Sequence, residues 1–340
     1  MARSYYDEYD KKYPGIIIDI LKYFDVANND PTAVKDKSVL GVCSLFKDED
    51  GGLPIQPTIV NRICKRLCDC GHLECIRSSG GLGLYDNYLF ILKNREYFES
   101  QINQLIYYYN SMVYGFEYVF ELYKDIVVPF VWEKPDGSYE AGTGFKYLNG
   151  IATAKHCVQD VKNLQIKGYR AKELEGKPIY ISENDGVDLA FIETGKIEEP
   201  IIYADEGKVM QEVLVMGYPK IPTFTNFLTA EIATISSKAS ARLTPTKGAI
   251  AAYGYEYLAR MDAMLITARI TGGNSGGPVI NQYGCLVGVA CQLPDYRPEN
   301  GGDGDLGYGI AVPVKELTSI VTKKNRVLDI PNDFYRDFND

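Results

Sequence analysis

The stretch Thr271-Gly-Gly-Asn-Ser-Gly-Gly-Pro-Val-Ile280 sets one serine, Ser275, between glycines. Glycine reaches backbone conformations closed to other residues, so this stretch can turn sharply and let main-chain N–H groups converge beside the hydroxyl. Converging donors are what the anionic intermediate of acyl transfer requires. A hydroxyl alone is a poor nucleophile and needs a base. The chain has two histidines, His72 and His156. His156 closes the apolar run Ile151-Ala-Thr-Ala-Lys-His-Cys-Val, a strand that enters a short turn. A buried carboxylate must then fix the imidazole tautomer and stabilise its charged form. Asp188, in Gly186-Val-Asp-Leu-Ala-Phe-Ile, opens an apolar strand where an unpaired carboxylate is costly. Asp160 and Asp185 are rivals by proximity in sequence, both in polar settings that read as solvated loops.

Such residues need rigid elements behind them. From about Asp125 the chain consists of short β-branched and aromatic runs broken by Gly, Pro, Asn and Asp. Examples are Ile126–Trp132, Gly144–Leu148, Val213–Met216 and Cys285–Ala290. Many short strands with regular turn signals predict an antiparallel barrel or sandwich. Before it, residues 95–124 carry Tyr97, Phe98, Ile102, Leu105, Ile106 and Tyr109 at three- and four-residue spacing, which predicts one long amphipathic helix that Gly115 can kink or divide. Residues 14–94 read as short helices, from Gly15 and from Pro57, followed by strands Leu73–Ile76 and Tyr85–Leu92 around the turn Ser79-Gly-Gly-Leu-Gly. That order of helix, Cys70-Gly-His-Leu-Glu and glycine-turned hairpin resembles a winged-helix domain.

The order His, Asp, Ser within Thr153-Ala-Lys-His-Cys, Asp188-Leu-Ala and Gly273-Asn-Ser-Gly-Gly-Pro resembles the trypsin-like serine proteases, and in detail their HtrA-like branch. Gly142-Thr-Gly-Phe, Val215-Met-Gly-Tyr-Pro, Thr229-Ala-Glu-Ile-Ala-Thr-Ile-Ser and Gly307-Tyr-Gly-Ile-Ala-Val-Pro resemble further segments of that branch, in the same order. The resemblance implies a chymotrypsin-like double barrel and a serine endopeptidase. Its catalytic residues would be His156, Asp188 and Ser275, its oxyanion hole the N–H groups of Gly273 and Ser275, and Gly288–Cys291 the edge that pairs with substrate. By position, the primary pocket would be lined by Arg269 and Ile270, by Val289, Ala290 and Cys291, and by Ile310 with Ala311. Aliphatic walls favour a small or medium apolar side chain, whereas an inward Arg269 would select an acidic one. Asn274 stands where proteases that mature by cleavage carry Asp, so activation by insertion of a new N-terminus is not expected. Nothing after Thr322 resembles a PDZ domain.

The expected architecture is multidomain α+β. Residues 1–94 form the winged-helix-like module, 95–124 a connecting helix, 125–322 the all-β protease domain and 323–340 a C-terminal tail. At 46% hydrophobic, the chain can bury a proper core without disulfides. No signal peptide or membrane-spanning run is evident, so the eight cysteines are read as reduced thiols of a cytoplasmic protein. Cys64, Cys68, Cys70, His72 and Cys75 cluster as zinc ligands do, but Cys64 and Cys68 continue an apolar stripe and buried thiols explain most of the cluster. No metal or other cofactor is expected. Lys+Arg and Asp+Glu balance over residues 1–95, so the net charge of −9 falls on the remainder and argues against non-specific nucleic-acid binding. Arg62, Lys65 and Arg66 could meet DNA phosphates, but a protein partner is the favoured role of the N-terminal module. The acidic loop Glu299–Asp305 reads as a surface loop near the pocket rather than a calcium site. The rival reading of the whole chain is a non-enzymatic sensor or DNA-binding regulator whose protease-like domain binds peptides without cutting them.

Overall fold

A computed structural model of the 340-residue chain describes residues 13, 15–25, 38–46, 55–90, 102–134, 136–219, 243–257, 260–291 and 308–338. Elements are numbered over these residues. The chain divides into two units, Met1–Tyr118 and Val119–Asp340.

In the first unit, helices α1 (Ile16–Phe24), α2 (Val39–Cys43) and α3 (Pro57–Asp69) precede a hairpin of β1 (Leu73–Arg77) and β2 (Asn87–Phe90). Helix α4 (Ile102–Tyr114) follows. The apolar stripe of α1 is buried from Ile16 to Phe24 against Val60, Ile63, Cys64 and Leu67 of α3 and Tyr109 and Val113 of α4. Ser38 caps α2 by accepting the Gly41 N–H at 3.2 Å, and Pro57 occupies the first turn of α3, where its missing N–H costs nothing. Gly71, at φ 77°, ends α3 in the left-handed region, with the Gly71 and His72 N–H groups closing onto Cys68 and Leu67. In the hairpin loop, Asp86 accepts the Ser79 N–H and hydroxyl at 2.6 and 2.8 Å. The long helix expected from residue 95 is divided: Gly115 takes φ 76° between α4 and α5 (Phe116–Tyr123), and residues 95–101 lie outside the described ones.

The second unit holds two antiparallel β systems. The first contains β3 (Val127–Glu133), β4 (Tyr139–Tyr147), β5 (Gly150–Thr153), β6 (Lys162–Ile166), β7 (Ile179–Ile181) and β8 (Ala190–Glu193). With β15 (Arg326–Val327) they form a seven-stranded sheet in the order β15-β7-β8-β5-β4-β3-β6. The short helix α6 (Ala171–Leu174) lies between β6 and β7. The second system is a closed barrel in the order β10-β11-β14-β13-β12-β9. Its strands are β9 (Glu212–Gly217), β10 (Thr244–Glu256), β11 (Met261–Ile266), β12 (Pro278–Asn281), β13 (Leu286–Cys291) and β14 (Gly309–Pro313). Inward residues of this barrel, among them Val213, Val215, Ile250, Met264, Val279 and Ala311, make one core. Helix α7 (Val314–Lys323) follows β14 and buries Val314, Leu317 and Ile320.

Residues 323–340 are read from the sequence as a tail, and those of them that are described, up to 338, carry structure of their own. After α7 the chain adds β15 to the β7 edge of the sheet, then crosses to the opposite edge, where Tyr335 bridges Leu164 of β6 and the Arg336 N–H donates to Leu164 at 2.9 Å. One segment thus holds both ends of the sheet, and Phe334 and Tyr335 are buried in its core. The sequence hides this because the segment has no apolar periodicity. Phe334→Ala is expected to cost about 3–5 kcal/mol of stability, the usual penalty for a cavity of that size, read as a lowered urea midpoint at unchanged slope.

Candidate active site

His156 sits in the single 3-10 turn Lys155–Cys157 directly after β5, whose four residues are all buried. Burial of Cys157 and Val158 fixes the turn from below and leaves the His156 side chain 42% exposed. Asp188 lies between buried Val187 and Leu189, just before β8, the strand that pairs with β5. That pairing brings the two residues together. Oδ1 of Asp188 accepts the His156 main-chain N–H at 2.9 Å and Oδ2 lies 2.6 Å from Nδ1. A carboxylate only accepts, so Nδ1 carries the proton and the neutral ring keeps its lone pair on Nε2. Burial disfavours the imidazolium, but the hydrogen bond and charge of Asp188, reinforced by the adjacent Cys157, outweigh it and raise His156 above its ordinary pKa. The rivals are elsewhere: Asp185 pairs with Arg326, and Asp160 is exposed.

Ser275 occupies the turn between β11 and β12 and is 2% exposed. Gly273 and Gly276 take φ 97° and 84°, as the glycine pattern requires. The turn is tied by Asn274 N–H to Thr271 at 3.0 Å, Gly277 N–H to Asn274 at 2.9 Å and Gly276 N–H to Ala290 at 2.7 Å. Among the described residues, the N–H groups of Gly273 and Ser275 have no acceptor, so both can receive an anion. The Ser275 hydroxyl and the Asn274 side-chain oxygen are buried and likewise without a hydrogen-bond partner.

The pocket residues fare unevenly. Arg269 is exposed, and Ile270 is half-buried on the barrel core and reaches over Gly309, whose added Cβ would stand 2.7 Å from it. Ile310 is half-buried and pairs with Cys291. Gly288–Cys291 does not offer the free edge expected of it. Strand β13 lies between β12 and β14; Val289 faces Pro278 on one side and Val312 on the other, and the Ala290 N–H and C=O are both taken by the Ser275 turn. Val289, Ala290 and Cys291 are accordingly buried. A continuous apolar run reads alike for an edge strand and an interior one. The continuation, residues 292–307, lies outside the described residues, as do Thr229–Ser236 and the acidic loop.

Thr143 and Tyr218 were not singled out by their chemistry in the sequence, and Cys291, read there as a pocket residue, also meets the Asp188 main chain. Thr143 contacts the Ser275 turn, Tyr218 donates its N–H to Thr143, and the Cys291 thiol lies 3.5 Å from the Asp188 carbonyl. In the first unit Cys64 is fully buried and its thiol pKa is pushed up by that burial, Cys70 and Cys75 are exposed, and His72 packs edge-on against Tyr109. Among the described residues no three metal-ligating side chains converge, and no helix is long and apolar enough to cross a membrane.

A closed six-stranded barrel and a seven-stranded antiparallel sheet, with His, Asp and Ser contributed in that chain order, are consistent with a chymotrypsin-like β domain. Residues 142–289 match the family model of the trypsin-like peptidase domain. Two curated proteins named Serine protease Do-like HtrA are similar to it, from Lactococcus lactis subsp. lactis (strain IL1403) and subsp. cremoris (strain MG1363). Each is 22% identical over 175 residues, 51% of this chain and 40% of the relative. The chain thus matches well under half the length of these relatives. Solved structures similar to it include the Rv3671c protease from M. tuberculosis in its active form, at 18% identity over 63% of this chain and 87% of that one, with a TM-score of 0.45. Another is the serine endoprotease from Yersinia pestis, at 21% identity over 60% and 64%, with a TM-score of 0.42.

Proposed function

We propose that the chain is a serine endopeptidase that cleaves protein or peptide substrates through an acyl-enzyme. The observation that carries this reading is the two-point grip of Asp188 on His156, which sets the ring with a basic Nε2. Ser275 Oγ attacks the scissile carbonyl as Nε2 takes its proton, and the N–H groups of Gly273 and Ser275 receive the oxyanion. His156 then protonates the leaving amine, and water repeats the cycle on the acyl group. Ile270 packs over Gly309 and Arg269 is exposed, which supports a preference for a small aliphatic side chain over an acidic one.

The first unit, read as winged-helix-like, is the regulatory or targeting module, and its partner is a protein. Ile76, Leu82 and Tyr85 of the hairpin are 63%, 64% and 59% exposed, an apolar surface more suited to protein than to DNA. Eight free cysteines accord with a reducing, cytoplasmic setting.

Treatment of the full chain with a fluorophosphonate probe, with and without candidate activators, tests the reading. One label per chain, mapped to Ser275, is the expected result. A chain that stays unlabelled under all conditions would favour the sensor that binds peptides without cutting them.

A further inference from the structure

Thr143 lies in the middle of β4, is wholly buried, and makes four hydrogen bonds, three of them at the Ser275 turn or its support. Its hydroxyl donates to the Gly273 carbonyl at 2.7 Å and accepts the Tyr218 N–H at 3.0 Å. Its main-chain N–H donates to the Ser275 carbonyl at 2.9 Å. Its own carbonyl accepts the Thr153 hydroxyl at 2.7 Å, at the strand end that leads to His156. Among the described residues the N–H groups of Gly273 and Ser275 have no acceptor, and Thr143 holds the carbonyl of each. The Gly273 carbonyl belongs to the Gly273–Asn274 peptide, which lies between the two peptides that carry the donors, so fixing it limits how either of them can turn.

The neighbourhood leaves the turn little room to choose another position. A Cβ on Gly276 would stand 2.1 Å from the Thr143 carbonyl, and one on Gly217 would stand 2.8 Å from the Asn274 side-chain oxygen and 3.1 Å from the Thr143 hydroxyl. Tyr218, which supplies the donor to Thr143, is anchored at its far end by its hydroxyl, which donates to Val127 at 3.1 Å. The hydroxyl of Thr143 therefore sits in a chain from Val127 through Tyr218 to Gly273, linking the sheet to the barrel.

We infer that Thr143 is the positioning residue of the oxyanion hole, its hydroxyl locking the Gly273–Asn274 peptide that links the two peptides whose N–H groups face the developing charge. This rests on the peptidase reading above. Thr143 touches neither substrate nor reacting atoms, so its loss should leave encounter intact and slow the step in which charge develops.

The test compares full-length wild type, Ser275→Ala, Thr143→Val, Thr143→Ala and Thr143→Ser by the saturation kinetics of fluorophosphonate labelling and by hydrolysis of labelled casein. Emission of Trp132, the single tryptophan, buried beside Gly142, monitors the fold. Valine keeps the shape of threonine and removes the hydroxyl. It is expected to lower the maximal labelling rate and kcat about 10–100-fold, less than outright loss of an oxyanion donor, with the half-saturating concentration and KM changed less than about threefold. Serine restores the hydroxyl and should return both rates to within about threefold of wild type. Alanine repeats the comparison without a second methyl group, should valine prove not to fold.

Wild-type rates in Thr143→Val or Thr143→Ala overturn the inference, as does a serine variant as slow as valine. So does unfolding of both hydroxyl-free variants, which makes the group a requirement of folding instead. A wild-type chain no more reactive than Ser275→Ala removes the peptidase reading itself, and this inference with it.

Discussion

Ser275→Ala is expected to lower kcat for peptide-bond hydrolysis by about 10⁶-fold, His156→Ala by nearly as much, and the double variant by no more than either alone. The reason is that nucleophile and base act as one unit: without the base the hydroxyl keeps its proton, and without the hydroxyl the base has nothing to activate. What survives is the contribution of the Gly273 and Ser275 N–H groups and of binding, about 10³–10⁴-fold over water. Rates of casein cleavage measured on all three variants check this. Multiplicative losses in the double variant would mean that the two residues act independently, which the proposed mechanism forbids.

Asp188→Asn comes next, with an expected loss of about 10⁴-fold in kcat near neutral pH. The amide can donate where the carboxylate only accepted, so it stabilises the ring with its proton on Nε2, the tautomer that cannot take a proton from Ser275. The pH profile carries a second signature. Asp188 and Cys157 hold the imidazolium against the opposing effect of burial, so His156 titrates above its ordinary 6.5. Only the neutral ring is a base, so kcat/KM of the wild type should climb with pH on the alkaline side of that value. In Asp188→Asn the charge is gone while burial remains, and the ascending limb should move to lower pH. A limb that stays in place would show that it reports some group other than His156.

The site was more legible in the sequence than the machinery that holds it. Ser275 stands out because only glycines at 273 and 276 allow the positive φ the turn uses, and Asp188 because an unpaired carboxylate among Val187, Leu189 and Phe191 is costly. Both signals are local. Thr143 gives no such signal: its partner Gly273 is 130 residues away, and a threonine between glycines in a strand reads as ordinary β chemistry. The misplacement of the substrate edge at Gly288–Cys291 has a similar origin. Composition records that a strand is apolar but not how many neighbours it has, and β13 has two. The break in the connecting helix was visible as Gly115, whereas the packing of Phe334 was invisible, since two aromatic residues among Asp, Asn and Arg look like an unstructured end.

That C-terminal segment has a bearing on when the molecule can act. Protein synthesis runs from the N-terminus, so Val127, His156 and Asp188 leave the ribosome long before Phe334 and Tyr335. The sheet that carries His156 and Asp188 cannot be held at both edges until the later residues emerge and join Leu164, a contact closed across 170 residues of chain. A nascent chain therefore lacks the contacts at both edges of this sheet until residues 326–336 have emerged.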